Sequence, residues 1–242
     1  MHVLQVISLL LDYPQSGVAE ARDDLQEIIQ ASPLTDANKA QLSAFLQRRT
    51  TGDLMDWQSE YDGLFERGRS LSLLLFEHVH GESKDRGQAM VDLMNQYHEA
   101  GLDIGIRELP DYIPLYLEFL STQGDENARL GLAEVGHILA VLACRLENRK
   151  SDYAALAYAL LDLSGVEVDL NDLREQVVKE ERDDTPKALD KVWEEEVVTF
   201  TGSDSTEGCP TAQSRPSELQ RRDQFIPLNT DDLSKPAKPV GI

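Results

Sequence analysis

The chain has 242 residues, of which 41% are hydrophobic, enough for one sizeable core. Its 23 Lys and Arg residues are outnumbered by 44 Asp and Glu residues, so the formal net charge is −21. A charge of this size repels phosphate backbones and anionic lipid headgroups, which argues against nucleic acid as a partner and favours basic partners.

The cysteines and the N-terminal stretch predict a cytoplasmic protein. Cys144 and Cys209 form neither a disulfide framework nor a zinc site with paired thiolates. The first apolar stretch ends at Asp12 and lacks both a basic start and a small-residue cleavage site, so we expect no export signal. No run approaches the roughly 18 to 20 apolar residues of a spanning helix, so we expect no direct membrane insertion.

Apolar residues recur at spacings of three and four almost everywhere before about residue 200, which predicts an all-α fold. The first helix is expected to end near Asp12, because the residue before Pro14 is pushed out of the helical region. Ser83 can cap a helix that stops near Gly101, and Asp111 can cap the next one. The remaining helices are predicted at 17–31, 36–50, 53–66, 126–149, 152–163, 169–181 and from Thr185-Pro186 onward.

These elements predict a single-domain helical bundle over residues 1–200. A chain that forms only helices buries their apolar faces by packing helix against helix. From about Thr201 the composition changes to Ser, Thr, Gly, Pro, Gln and charged residues, which indicates a flexible polar tail over 201–242. One short apolar patch in the tail, Phe225-Ile226-Pro227-Leu228, could fold back onto the body.

A dense polar segment interrupts a strongly apolar run after residue 76. We call it the polar knot; its members are His78, His80, Glu82, Asp85 and Arg86. Chains bury such groups only where partners satisfy them, so the knot is solvated, internally paired, or reserved for a ligand.

A metal-dependent enzyme built on His78, His80 and Glu82 is one alternative, because imidazole and carboxylate are common ligands for zinc and iron. The spacing argues against it, since residues two apart on a helix point away from each other. The chain also lacks a nucleophile elbow, a glycine-rich phosphate cradle and a Walker sequence. We therefore expect no enzymatic activity and no cofactor bound by this chain.

The order of several motifs resembles the assembly chaperones of respiratory nitrate reductase, the NarJ/NarW type of the redox-enzyme maturation proteins. The resemblance is long and covers essentially the whole region before residue 200. It is carried by Tyr61-Asp62-x-Leu64-Phe65-x-Arg67-Gly68-Arg69, Ser72 to Leu93, Arg107-Glu108-Leu109-Pro110-Asp111, Pro114-Leu115-Tyr116-Leu117-Glu118, Arg182-Asp183-Asp184-Thr185-Pro186 and Trp193-Glu194-Glu195-Glu196.

The resemblance implies an all-α chaperone that holds the apo catalytic subunit of the reductase in the cytoplasm while its molybdenum cofactor is inserted, before the complex docks on its membrane subunit. The implied ligand is the extreme N-terminus of that subunit, bound as a short amphipathic helix. Related chaperones carry a Glu-x-Pro-Asp-His motif, matched here by Glu108, Pro110 and Asp111. Tyr112 replaces the histidine, so an imidazole role does not carry over.

We expect the peptide in an apolar groove with an acidic rim, between the helix after Ser83 and the helix after Asp111. The residues expected near its rim are His78, His80, Glu82, Arg86, Glu108, Asp111, Tyr112 and Tyr116. A third alternative is a structural subunit that stays in the mature reductase. The oligomeric state cannot be deduced from these residues.

Overall fold

The computed structural model describes residues 1–79, 84–104 and 108–191. The helices are α1 His2–Leu11, α2 Gly17–Glu20, α3 Arg22–Ala31, α4 Asp36–Thr51, α5 Leu54–Phe65, α6 Lys84–Glu99, α7 Ile113–Thr122, α8 Asp125–Glu134, α9 Gly136–Asn148, α10 Ala154–Ser164 and α11 Leu170–Lys179. A short 3-10 helix covers Leu75–Glu77, and 186–191 are helical. This confirms the predicted all-α class.

Side-chain oxygens cap several of the described helices. Asp53 accepts hydrogen bonds from the first amides of α5, and Asp169 does the same for α11. Thr185 accepts one from the Ala188 amide at 3.2 Å, which confirms the predicted cap there. α10 ends at Gly165, whose φ of 68° places it in the left-handed region that favours glycine.

The core of the bundle is centred on α1 and α7, which run antiparallel. Ser8 Oγ of α1 donates a hydrogen bond to the Pro114 carbonyl of α7 at 2.7 Å. The Met1 nitrogen lies 3.4 Å from the Ser121 carbonyl at the other end of the pair. Most of α1 is buried against α7, α3 and α10, so burial of apolar surface is the main term that holds this region together.

A buried guanidinium joins three segments on another side of the bundle. Arg49 of α4 donates to Glu60 of α5 at 3.0 Å and also to Asp152, just before α10. Its guanidinium lies over the rings of Phe45 and Tyr153, 4.9 Å from each centroid. The positive charge of Arg49 is therefore paired with two carboxylates and stacked on two aromatic rings. Both interactions offset the cost of burying it.

The predicted single helix over 126–149 is wrong, because Val135 separates α8 from α9. The two halves pack on different partners: α8 contacts α7 and α10, whereas α9 contacts α10 and α11. Gly131 lets α8 approach α7 closely, since a Cβ there would come within 2.5 Å of Leu120. The predicted helix over 17–31 is likewise divided at Ala21.

Met1–Glu195 form one compact unit. The predicted domain boundary at residue 200, the flexible tail and the Phe225–Leu228 patch lie outside the described residues. None of the helices in the described ranges combines the length and apolar composition needed to cross a membrane.

Candidate peptide-binding groove

The described part of the polar knot makes bonds within the protein. His78 Nε2 lies 2.8 Å from the Ser72 carbonyl, a bond that the ring donates when Nε2 carries the hydrogen. Burial lowers the pKa of His78, so its neutral form is favoured at neutral pH. Arg86 lies 3.8 Å from Glu77, and both side chains are mostly buried.

His80 and Glu82 lie outside the described residues, so the predicted metal cluster cannot be assembled from what is described. Within 1–79, 84–104 and 108–191, no group of three or more His, Cys, Asp or Glu side chains could hold a metal ion. Of the residues in that predicted cluster, the structure describes His78. Its Nε2 already forms a hydrogen bond with the Ser72 carbonyl.

Asp111 caps the 3-10 helix rather than α7. Its carbonyl accepts from the Leu75 amide at 2.9 Å and its Oδ2 from the Phe76 amide at 3.1 Å. The helix α7 begins after Tyr112 without a side-chain cap, so the expectation that Asp111 caps it is wrong. An antiparallel bridge between Leu74 and Tyr112 places the carboxylate against the neighbouring segment instead.

The Asp111 carboxylate is fully buried. Its Oδ1 has no hydrogen-bond partner among the described residues. Burial raises the pKa of Asp111, opposed by the Phe76 amide and by Arg86. Asp111 therefore connects the segment before the polar knot to the start of α7 inside the protein. It does not lie at the rim of a groove.

The two predicted tyrosines also point inward. Tyr112 Oη donates to Asp12 Oδ1 at 2.9 Å. Tyr116 is 7% exposed, and its Oη donates to the Gly131 carbonyl at 3.1 Å. Of the eight residues expected at a groove rim, Glu108 is the one that is exposed within the described ranges.

A groove does lie between α7 and the chain that ends α6, but α1 forms its other wall. We call it the α1/α7 groove; its volume is about 470 Å³. Its lining is mainly apolar, with Leu9 40% exposed although it stands in the otherwise buried α1. The lining residues are Gln5, Leu9, Tyr97, Leu102, Asp103, Ile104, Leu115, Glu118, Phe119, Ser121 and Thr122.

Two carboxylates line this groove. Glu118 and Asp103 line it directly. Partial burial raises the pKa of Glu118, and the negative charges of Asp12 and Glu108 raise it further. Asp12 accepts a hydrogen bond from Tyr112 at the start of α7, and Glu108 lies in the turn just before Tyr112. The groove thus combines apolar walls with local negative potential, the combination that suits a basic amphipathic helix.

Sequence reasoning missed the α1 wall, and one signal in α1 could have revealed it. This helix carries more apolar residues than one face can bury, because Leu9 falls outside its buried set. Together with Gln5, four residues earlier, Leu9 forms a second face of α1. An extra leucine on the open face of an otherwise buried helix indicates a surface that a ligand could cover.

The structure therefore defines an all-helical protein with an apolar groove that carries two carboxylates. The family described as nitrate reductase delta subunit matches residues 29–159. The nitrate reductase molybdenum cofactor assembly chaperone NarJ of Escherichia coli K12 is 49% identical over 200 residues, covering 81% of this chain and 84% of that protein. This chain therefore belongs to the nitrate reductase delta subunit family of NarJ/NarW-type assembly chaperones.

A second relative agrees with this assignment. NarW of the same strain, named a probable chaperone of this kind, is 46% identical over 224 residues, 92% of each chain. A crystal structure of a candidate redox enzyme maturation protein from Archaeoglobus fulgidus is 21% identical, with a TM-score of 0.45 over 67% of this chain and 92% of that one. The members of the family are assembly chaperones, so this chain is not an enzyme.

Proposed function

We propose that this protein is a cytoplasmic chaperone dedicated to the catalytic subunit of a respiratory nitrate reductase. It binds the N-terminal peptide of the apo subunit, permits insertion of the molybdenum cofactor, and delays docking at the membrane until the subunit is mature. The observation that carries this proposal is an open apolar groove fringed with carboxylates in a member of a family of assembly chaperones.

The dimensions of the groove support a helical ligand. The α7 wall runs from Leu115 to Thr122, which at 1.5 Å per residue is about 10 Å, or two turns of helix. Two turns present anchors at positions i, i+3, i+4 and i+7, so two or three apolar side chains of the client would enter between Leu9 and Leu115.

A footprint of this size favours reversible binding. A helix of about 12 to 15 residues buries less than the roughly 1,200 Å² of a standard complex, so weak to moderate affinity is expected unless a second contact adds to it. Easy release suits a chaperone that hands its client on.

The carboxylates near the groove mainly increase the rate at which the peptide associates with the protein. Glu118, Asp103 and the neighbouring carboxylates attract a basic peptide and orient it as it approaches. Exposed charges are screened beyond about 8 to 10 Å at physiological ionic strength. The association rate should therefore fall steeply between low and physiological salt.

Calorimetric titration tests the proposal with a peptide that copies about the first 15 residues of the catalytic subunit, long enough to fill such a groove. Wild-type protein should bind it, and Leu9→Ser should weaken binding by tenfold or more, because it places a hydroxyl on the apolar wall. Leu130→Ser is the matched control, since Leu130 is an exposed leucine of α8 outside the groove.

Two results would contradict the proposal. Absence of heat with wild-type protein at micromolar to millimolar peptide would remove the proposed ligand. Equal weakening by Leu9→Ser and Leu130→Ser would remove the α1/α7 groove as its site. A chaperone should also be absent from the purified mature reductase, whereas a structural subunit would copurify with it.

A further inference from the structure

We propose that the α1/α7 groove binds its client helix in one direction, with the free α-amino group of the client at the end bordered by Asp12 and Glu108, and with Glu118 farther along the α7 wall. The inference rests on the proposed function and adds to it the polarity of the bound peptide and the group that sets this polarity.

The two ends of the groove differ because α1 and α7 are antiparallel. The end of α1 lies beside the start of α7, as the contacts Ser8–Pro114 and Asp12–Tyr112 show. The opposite end of the groove is bordered by Ser121 and Thr122 at the end of α7. We call these the acidic end and the hydroxyl end.

Negative charge at the acidic end has no cationic partner in the described part of the chain. Asp12 accepts hydrogen bonds from two neutral donors, the Tyr112 hydroxyl and the Tyr13 amide. Glu108 and Glu118 form no salt bridge among the described residues, and both are exposed. The other carboxylate that lines the groove differs, because Asp103 lies 3.2 Å from the imidazole of His98.

A client helix has the complementary polarity. Its first turn carries roughly half a positive charge from the aligned peptide dipoles, and a peptide taken from the start of a chain adds a full charge on its α-amino group. The last turn carries the opposite partial charge, which the carboxylates of Asp12 and Glu108 would repel. One orientation therefore places the positive end of the helix at the acidic end, and the reverse orientation places its negative end there.

The first test compares the client peptide with a free amino terminus and the same peptide N-acetylated. With wild-type protein, acetylation should weaken binding about three- to fivefold, the effect of a partly exposed charge interaction. With the double variant Glu108→Gln plus Glu118→Gln, acetylation should have less than a twofold effect. Glu175→Gln, an exposed carboxylate of α11, is the matched control and should behave as wild type.

The second test observes the direction itself. A nitroxide attached to the C-terminus of the peptide should broaden the amide signals of Ser121 and Thr122 more strongly than those of Tyr112 and Ile113. Equal or stronger broadening at Tyr112 and Ile113 would overturn the proposal.

The outcomes separate this inference from the proposed function. Equal affinity of the free and acetylated peptides for wild-type protein, or equal sensitivity to acetylation in the double variant, would reject the directed binding while the groove still binds its client. Failure of both peptides to bind wild-type protein would reject the proposed function itself.

Discussion

Tyr112 Oη lies 2.9 Å from Asp12 Oδ1 and joins the start of α7 to the end of α1 at the acidic end of the groove. Tyr61 extends this link, because its hydroxyl lies 3.3 Å from that of Tyr112 and donates to the Leu11 carbonyl. Burial, Tyr61 and Asp12 all raise the pKa of Tyr112, so the hydroxyl keeps its proton at neutral pH. A tyrosine can thus hold this junction where the related motif has histidine.

Replacing Tyr112 by phenylalanine should lower the free energy of unfolding by about 1 to 2 kcal/mol, because Asp12 loses a largely buried donor. Urea denaturation followed by circular dichroism measures the change. Tyr13→Phe is the matched control: Tyr13 is 44% exposed and meets Tyr61 only edge to face, so little change is expected. Equal costs for the two variants would show that the Tyr112 hydroxyl does not stabilise the junction.

Asp111 should tolerate asparagine better than alanine. Asparagine retains an oxygen for the Phe76 amide, whereas alanine leaves that amide without its acceptor at a cost of about 1 to 3 kcal/mol. Urea denaturation at pH 7 compares the two variants. An alanine variant as stable as the asparagine variant would contradict the capping role.

The pH dependence of the same site has a defined sign. The folded state raises the pKa of Asp111 above its ordinary value of 3.8, so the native protein binds this proton more tightly than the unfolded chain. Its contribution to stability is therefore present at low pH and is lost as pH rises through the folded pKa. Asp111→Asn should remove this decrease from a plot of unfolding free energy against pH, and an unchanged plot would contradict the assignment.

Glu60 should show the opposite dependence. Its hydrogen bond with Arg49 lowers its pKa below the ordinary value of 4.5, with burial opposing. The pair therefore stabilises the fold above pH 4.5, and this contribution is lost as pH falls through the folded pKa. Glu60→Gln should cost about 1 kcal/mol at pH 7, after allowance for solvent screening, and clearly less at pH 3.

Thermal unfolding across that pH range measures the effect. Glu167→Gln, an exposed carboxylate between α10 and α11, serves as the control. A cost of Glu60→Gln that stays constant from pH 7 to pH 3 would contradict the role of this charge pair.

Gly68 should tolerate alanine less well than Gly101, although both have positive φ. A Cβ on Gly68 would lie 2.7 Å from the Asp183 carboxylate, whereas nothing lies within 4 Å at Gly101. Asp183 also accepts from the Arg69 and Ser70 amides at 2.7 and 2.6 Å, so it cannot move away without losing them. Gly101→Ala should cost about 1 kcal/mol from backbone strain, and Gly68→Ala about 1 to 2 kcal/mol more.

A double-mutant cycle isolates the contact. In an Asp183→Ala background the extra cost of Gly68→Ala should disappear, because the crowded carboxylate is gone. Urea midpoints of the four proteins give the coupling. If Gly68→Ala still costs more than Gly101→Ala without the Asp183 carboxylate, the contact with Asp183 is not the cause of the extra cost.

Local chemistry decided several helix boundaries, and boundaries of this kind are predictable. Thr35, Asp53 and Asp169 accept hydrogen bonds from first-turn amides, and Pro14 ends α1 near Asp12, because these effects act within four residues along the chain. The division at Val135 was not predictable from such rules. It arises because α8 and α9 pack on different helices, which periodicity within 126–149 does not encode.

The candidate site shows the same contrast between features set along the chain and features set by packing. The motifs identified the polar knot and the Glu108-to-Asp111 turn, but they could not show that Asp111 faces Phe76 and that Tyr116 faces Gly131. The orientation of each of these two side chains depends on a contact between segments more than ten residues apart. The same is true of Leu9, which lines the groove because α7 lies beside α1.

By itself the amino-acid sequence determined the helical class, the acidic surface and the family resemblance, because composition, periodicity and motif order are properties of the chain that packing does not alter. Only the tertiary structure decided which carboxylates border the groove and which are buried. The antiparallel contact of α1 with α7 assembles a surface from residues about a hundred positions apart, and burial alone separates Glu118 at its edge from Asp111 in the interior.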